Sequence, residues 1–144
     1  MFTSSLTKFG FNKSFNLTEK DLLFYTDNYV LISKNNYVIA NLDKYYNDPV
    51  FIIAADTPFV EIDTIKKLSK QKSQIALASD GEFIHYLCGF YSPSVANIAR
   101  QMIKSKDLRL ANLAKICECE SIEFGNLKQF FNINTKADYE EANI

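Results

Sequence analysis

The amino-acid sequence predicts an α/β protein with a mostly parallel sheet and helices on both faces. Three observations carry this expectation. Val50-Phe51-Ile52-Ile53-Ala54-Ala55 is a continuous apolar run rather than an alternating one, the pattern of a strand covered on both faces. Apolar residues recur at helical spacing in the stretches that follow it. Strand-like and helix-like segments then alternate along the chain, which is the order of an α/β domain.

The Val50 to Ala55 run is read as the central strand. Tyr29 to Ser33, Gln74 to Ala78, Ile84 to Phe90 and Ile122 to Phe124 are shorter candidates, rich in β-branched and aromatic residues. Asp80-Gly81, between the second and third of these, predicts a tight hairpin and hence one antiparallel pair. Ile62, Ile65 and Leu68 recur every three residues while Lys66, Lys67 and Lys70 stay polar, so a crossover helix joins the central strand to the Gln74 strand. Val95, Ile98, Ala99 and Met102 fall at i, i+3, i+4 and i+7. Ser92 precedes them as N-cap, with Pro93 at the first helical position. Leu110, Leu113, Ala114 and Cys117 repeat the template from near Asp107. A further helix is expected from Val38 to Tyr46, and a terminal one at Thr135-Lys136-Ala137-Asp138, which has a capping-box pattern. Phe9, Phe11, Phe15, Leu22, Leu23 and Phe24 give the first thirty residues apolar content without one clean period.

A chain of 144 residues fits a single domain, 1–144, able to bury roughly 68–70% of its unfolded surface. Its 47% apolar and 23% charged residues are those of a folding chain. Sixteen Lys and Arg lie scattered among seventeen Asp and Glu, for a net charge of −1. Nucleic acid is therefore not expected as a partner, since it needs clustered cations. No apolar run approaches the ~20 residues of a membrane helix, and the N-terminus lacks the pattern of a leader. Cys88, Cys117 and Cys119 match neither a CxxC pair nor a zinc knuckle. The expected setting is the cytoplasm, with reduced thiols.

Asp56 follows the buried run directly, in Asp56-Thr57-Pro58-Phe59-Val60. In open α/β sheets ligands bind beyond the carboxyl ends of the strands. A carboxylate at that corner suits Mg²⁺, which favours one or two acids plus phosphate oxygens and water. Taken alone, Asp56 is equally well read as a cap on the helix that follows. His85, the only histidine, lies mid-strand, where a hydrogen-bonded core imidazole is commoner than a ligand contact. Arg109 reads as a solvated side chain, and Cys88 and Cys117 as buried ones.

Val50 to Val60 resembles the central strand and metal corner of the molybdenum cofactor guanylyltransferases, a nucleotidyltransferase family. Phe130-Phe131-Asn132-Ile133-Asn134-Thr135-Lys136-Ala137-Asp138-Tyr139 resembles that family's C-terminal signature, an aromatic followed by Asn-Ile-Asn-Thr and a short helix. Asp80-Gly81, His85 to Tyr91 and Asp107 to Ala114 are also similar, so the likeness covers about Val38 to Ile144. It implies a three-layer, Rossmann-like nucleotidyltransferase sheet. It also implies transfer of a guanylyl group from GTP to molybdopterin, with Mg²⁺ and the GTP phosphates held at Asp56 and molybdopterin contacted by Asn132 and Asn134. Partners implied are molybdenum cofactor biosynthesis proteins or recipient molybdoenzymes. Asn132 and Asn134 also read as turn-forming residues ahead of the Thr135 cap.

The family opens on a glycine-rich phosphate loop, whereas this chain has four glycines and none adjacent. Lys8-Phe9-Gly10-Phe11-Asn12-Lys13 aligned with that loop makes Lys13 the phosphate lysine. Alternatively, Ser4 to Phe9 starts the first long helix and Tyr29 to Lys34 is the second strand, which accounts for more of the chain. The shortened nucleotide end leaves a second expectation beside catalysis: a module that binds the pterin cofactor or a partner without transferring nucleotide.

Overall fold

In β2 (Ile75–Ser79), Ile75 and Leu77 point into one apolar cluster and Ala76 and Ala78 into another, as strand alternation requires. Both clusters are buried because both faces of the sheet are covered. A computed structural model describes residues 39–54 and 56–142. Over that span run α1 (Leu42–Tyr45), β1 (Val50–Ile53), α2 (Ile62–Leu68), β2 and β3 (Ile84–Tyr91). Then follow α3 (Ala96–Lys104) behind a 3-10 turn Pro93–Val95, α4 (Leu110–Ile116), β4 (Cys119–Glu123), a 3-10 turn Leu127–Phe130 and α5 (Lys136–Glu141). The expectations at Lys8–Lys13, Tyr29–Ser33, Val38 and Ala55 lie outside the described residues.

The sheet order is β1-β3-β2-β4, with β3 antiparallel to both neighbours and β2 parallel to β4. β1, β2 and β4 therefore run the same way and β3 alone is reversed. The parallel character expected from sequence is thus partial: three strands share a direction, yet two of the three pairings are antiparallel because β3 is inserted between β1 and β2. The Asp80-Gly81 signal is the cause, since a short turn can only return the chain alongside itself.

One face carries α1, α3 with the 3-10 turn before it, and α4, whose Leu42, Val95, Ala99, Met102 and Leu113 join Ile75, Leu77 and Tyr91. The opposite face carries α2 and the Leu127–Phe130 turn, through Leu68 and Phe130 against Ala76, Ala78 and Cys88. This gives three layers. β1 contributes Val50 and Ile52 to the first cluster and Phe51 to the second, so its two-sided coverage is as the apolar run implied. It is nevertheless an edge strand among the described residues, and the most buried strand is β2.

Local signals explain most element ends. Ser92 accepts a hydrogen bond from Ser94 N with Pro93 at the first position, and Thr135 and Asp138 form the expected capping box. The crossover helix buries Leu68 and half-buries Ile65 as expected, but its inward face is rotated away from Ile62 towards Thr64. Ile62 is 69% exposed, whereas Thr64 is buried at 1% beside Leu68 at 0%. Thr64 and Leu68, one turn apart, share a face, and the Thr64 hydroxyl has a buried acceptor that makes its inward position tolerable.

α4 begins at Leu110 rather than at Asp107, because Asp107 is occupied in closing the preceding loop. Its Oδ1 accepts from Arg109 N and Nε, both at 3.1 Å, and its Oδ2 from Asn112 Nδ2 at 2.7 Å. These bonds, Arg109 first, pull the carboxyl from its ordinary value near 3.8 down to about 2. A carboxylate with a depressed folded pKa stabilises the fold fully above the unfolded value. That contribution disappears as pH falls from about 3.8 to about 2. Acid titration of unfolding is therefore expected to show a shallower loss of stability over that window in Asp107→Asn than in the parent chain.

Candidate functional site

Because β1, β2 and β4 are parallel and β3 is reversed, the carboxyl ends of the first three and the amino end of β3 meet at one edge of the sheet. Asp56 follows β1, Asp80 follows β2, residues 124–134 follow β4, and His85 opens β3. Segments distant in sequence thus converge where open α/β sheets receive ligands.

Thr57 fixes the corner after β1. It is buried, and its Oγ1 and N both bond to Ala54 O, at 3.0 and 3.3 Å. Asp56 is half-buried, and among the described residues no hydrogen bond or ion pair reaches its carboxylate. Its backbone carbonyl accepts from Ile133 N at 2.8 Å. That bond ties the β1 corner directly to the Asn-Ile-Asn stretch. Asn132 and Asn134 flank the bonded residue and are exposed, while Ile133 between them is half-buried, the alternation of an extended chain. Neither asparagine side chain has a hydrogen-bond partner among the described residues.

The stretch is held from its other end by α5. Asp138 Oδ2 accepts from Asn134 N at 2.9 Å and Thr135 N at 2.8 Å, and Thr135 Oγ1 accepts from Asp138 N at 3.1 Å. These backbone donors, Asn134's first, hold the Asp138 carboxyl below the usual carboxylate range. Asp138→Ala removes the one oxygen that accepts both bonds, so amide exchange at Asn134 and Thr135 is expected to quicken by about tenfold while β2 amides stay protected. Hydrogen-exchange mass spectrometry over residues 131–136 checks this.

A groove of about 780 Å³ opens beside the corner, lined by Phe59 and Glu61 after β1, by Asp80 and His85, and by residues 126–131. His85 is neither a plain core imidazole nor a free one. Its Nε2 bonds Asp80 Oδ2 at 2.9 Å, and its ring stacks on Phe130 with centroids 4.1 Å apart and planes 12° apart. Asp80 Oδ1 is held by Glu82 N and Phe83 N at 2.9 and 2.7 Å. Those two backbone bonds, Phe83's first, and the His85 bond keep the Asp80 carboxyl below its ordinary value. The turn therefore needs Asp80 for its side chain as well as for its conformation, and Gly81 beside it sits at φ +93°.

Gln129 was not legible as a site residue. It is 2% exposed, and its Oε1 accepts from Thr64 Oγ1 at 2.6 Å and Glu61 N at 3.3 Å. Asn126 Nδ2 also bonds Glu61 Oε1. The 3-10 turn is thereby fastened to the start of α2, the helix that leaves the Asp56 corner. A buried glutamine inside a four-residue 3-10 segment leaves no periodic trace in the sequence.

The cysteines stay outside this chemistry. All three are free thiols. Burial pushes Cys88 up to about 11 and raises Cys117 and Cys119, the opposite of an activated nucleophile. Arg109 is exposed and bonds Asp107. Among the described residues no three His, Cys, Asp or Glu side chains cluster as a metal site, and no helix is long and apolar enough to cross a membrane.

A protein of Helicobacter pylori strain J99 named molybdenum cofactor guanylyltransferase is 34% identical over 94 residues, which are 65% of this chain and 45% of that protein. The chain is related to the molybdenum cofactor guanylyltransferases. A protein of the same name from Campylobacter jejuni subsp. doylei is 29% identical over 103 residues, 69% of this chain and 54% of its own length. The chain spans about half the length of the curated relatives it matches. Among solved structures, molybdopterin-guanine dinucleotide biosynthesis protein A from Archaeoglobus fulgidus superposes with a TM-score of 0.61 at 20% identity, covering 74% of this chain and 58% of that one. A protein of Aquifex aeolicus VF5 superposes at 0.66 and 23% identity, covering 83% and 68%. Both share the α/β fold of this chain over those spans. No protein-family model matches the chain.

Proposed function

We propose that the chain serves guanylyl transfer from GTP to molybdopterin in molybdenum cofactor biosynthesis, with Asp56 on the donor side of the site and Asn132 and Asn134 on the acceptor side. The observation that carries this reading is the bond from Ile133 N to Asp56 O. It joins the acid at the strand end to the two asparagines, so a donor phosphate at Asp56 and an acceptor at Asn132 and Asn134 lie side by side. Relatedness to proteins named for this reaction supports it further.

Mg²⁺ would be held by Asp56. A single half-buried carboxylate without a protein partner fits that ion, which takes its other ligands from phosphate oxygens and water. When bound, it neutralises charge developing at the transferring phosphorus. The chain's own residues position: Asp56 orients the nucleotide phosphates. The asparagine amides offer both donors and acceptors to phosphate and pterin atoms. The terminal phosphate oxygen of molybdopterin displaces pyrophosphate from the α-phosphorus of GTP. Recipient molybdoenzymes and other cofactor-synthesis proteins are the partners this role brings, and the cytoplasm is its setting.

The second reading, a pterin- or partner-binding module without transfer, is favoured by the glycines. Those among the described residues serve a turn, a strand and the exit of β4, not a phosphate loop. Calorimetric titration with GTP, with and without Mg²⁺ and against ATP, separates the two. Magnesium-dependent binding that prefers GTP supports transfer; its absence leaves the binding module.

A further inference from the structure

Phe130 ends the 3-10 turn that leads into the Asn-Ile-Asn stretch, and a side chain with no part in the proposed transfer holds it. Its ring is 8% exposed and lies nearly parallel to the His85 imidazole, with centroids 4.1 Å apart and planes 12° apart. Two stacked flat rings fix each other's separation and tilt but can still slide, so one of them has to be anchored for the other to be placed. The imidazole has that anchor in Asp80 Oδ2, 2.9 Å from its Nε2. Asp80 is itself fixed, because its Oδ1 accepts from Glu82 N and Phe83 N, and turning away would give up both backbone bonds.

The sheet is distorted where His85 stands. Pairing of β2 with β3 jumps from Leu77 opposite Gly89 to Ala78 opposite His85, and irregularities of this kind beside a site re-aim a side chain. The residues between are put to use. Leu87 O accepts from Ala54 N at 2.9 Å, just ahead of the Asp56 corner, and Tyr86 O accepts from the Tyr91 hydroxyl at 2.6 Å. One irregular segment of β3 thus holds the end of β1 by its backbone and Phe130 by the His85 ring.

From Phe130 the chain runs through Phe131 directly to Asn132. The next support is the bond from Ile133 N to Asp56 O, and after it the Asp138 cap on Asn134 and Thr135. The Asn132 side chain has no hydrogen-bond partner among the described residues, so its position is set by the supports on either side. We infer that His85 is a positioning residue for the acceptor side: anchored on Asp80, it fixes Phe130, and through Phe130 it sets where Asn132 and Asn134 stand relative to Asp56. This role deepens the proposed function and rests on it for the meaning of an acceptor side, whereas the mechanical link stands on the contacts alone. If the stack only filled the core, its loss would loosen β2 as much as the asparagine stretch.

The test uses the full chain and hydrogen-exchange mass spectrometry. His85→Gln keeps an amide donor for Asp80 but removes the ring. Phe130→Leu removes the other ring while keeping an apolar side chain, and covers the case in which His85→Gln fails to fold. Exchange over residues 131–134 is expected to quicken about tenfold in each folded variant while β2 amides stay as protected as in the parent. Proton spectra of the parent should show the His85 ring signals displaced by the ring current of Phe130, and Phe130→Leu should remove that displacement. Magnesium-dependent GTP binding, followed by calorimetry, should be the same in parent and variants, because the stack acts on the acceptor side only. Exchange over 131–134 that matches the parent, equal quickening in β2, weakened GTP binding in a folded variant, or failure of both variants to fold overturns the assignment. A parent chain that binds no GTP sinks the transfer reading, and the exchange result then still decides whether His85 holds the stretch.

Discussion

Gly89→Ala is expected to cost about 3 kcal/mol of folding stability, at the upper end of what overpacking a core does. Gly89 is paired on both sides, with Ile52 of β1 and Leu77 of β2. A Cβ there would stand 2.3 Å from Ala76 O, 2.7 Å from Leu77 Cδ2 and 3.0 Å from Leu77 Cα. The nearest atom belongs to the backbone of the most buried strand, so no side-chain rotation relieves the contact. The two central strands have to part, and the ladder bonds around them weaken together.

The position also matters for the site. Directly beyond Gly89 the register between β2 and β3 shifts, from Leu77 opposite Gly89 to Ala78 opposite His85. Tyr86, Leu87 and Cys88 have no partner in β2 there, although Cys88 still pairs with Ile53 of β1, and the shift brings His85 opposite Ala78, close to Asp80. Urea unfolding checks the prediction. The midpoint falls with an unchanged slope, whereas Gly125→Ala, whose Cβ would meet nothing within 4 Å, stays within about 0.5 kcal/mol of the parent.

What the sequence disclosed followed from how local each signal is. Caps at Ser92 and Thr135, the hairpin at Asp80-Gly81 and the α3 stripe from Val95 to Met102 depend on residues within one turn of each other. The layer arrangement was legible because β1 is apolar throughout and the helices between strands are amphipathic. The reversal of β3 between β1 and β2 was only half visible. The turn predicted an antiparallel pair, but nothing in the sequence states that β1 pairs with β3 and not with β2. The inward face of α2 was read correctly at Leu68 but not at Ile62, because Thr64 is buried by virtue of Gln129, a partner 65 residues away.

The site follows the same division. Asp56 is marked by its place after an apolar strand, and the two asparagines by a motif. Their proximity depends on one backbone bond, from Ile133 to Asp56, that no pattern announces. Gln129 and the pairing of Asp80 with His85 left no signal at all, since each is useful only through atoms brought by another element.

Asp56→Asn should abolish the magnesium-dependent part of GTP binding, a fall of about a hundredfold, near 2.7 kcal/mol. The asparagine is the same size and keeps the backbone carbonyl that Ile133 N uses. No described side chain depends on the carboxylate, so its loss leaves no partner stranded and the melting temperature should move little. What changes is charge: an amide oxygen is a weak ligand for a hard divalent cation, so on the proposed reading the phosphates would lose the ion that links them to the strand end. Asn132→Ala is expected to behave oppositely, leaving magnesium-dependent GTP binding intact and weakening the acceptor. The contrast is what gives the pair its force. If Asp56→Asn binds GTP with Mg²⁺ as the parent does, the strand-end acid is a helix-entry residue and the donor phosphates belong elsewhere. If both variants lose GTP alike, the corner and the asparagine stretch act as one structural unit, and the division into donor and acceptor sides falls.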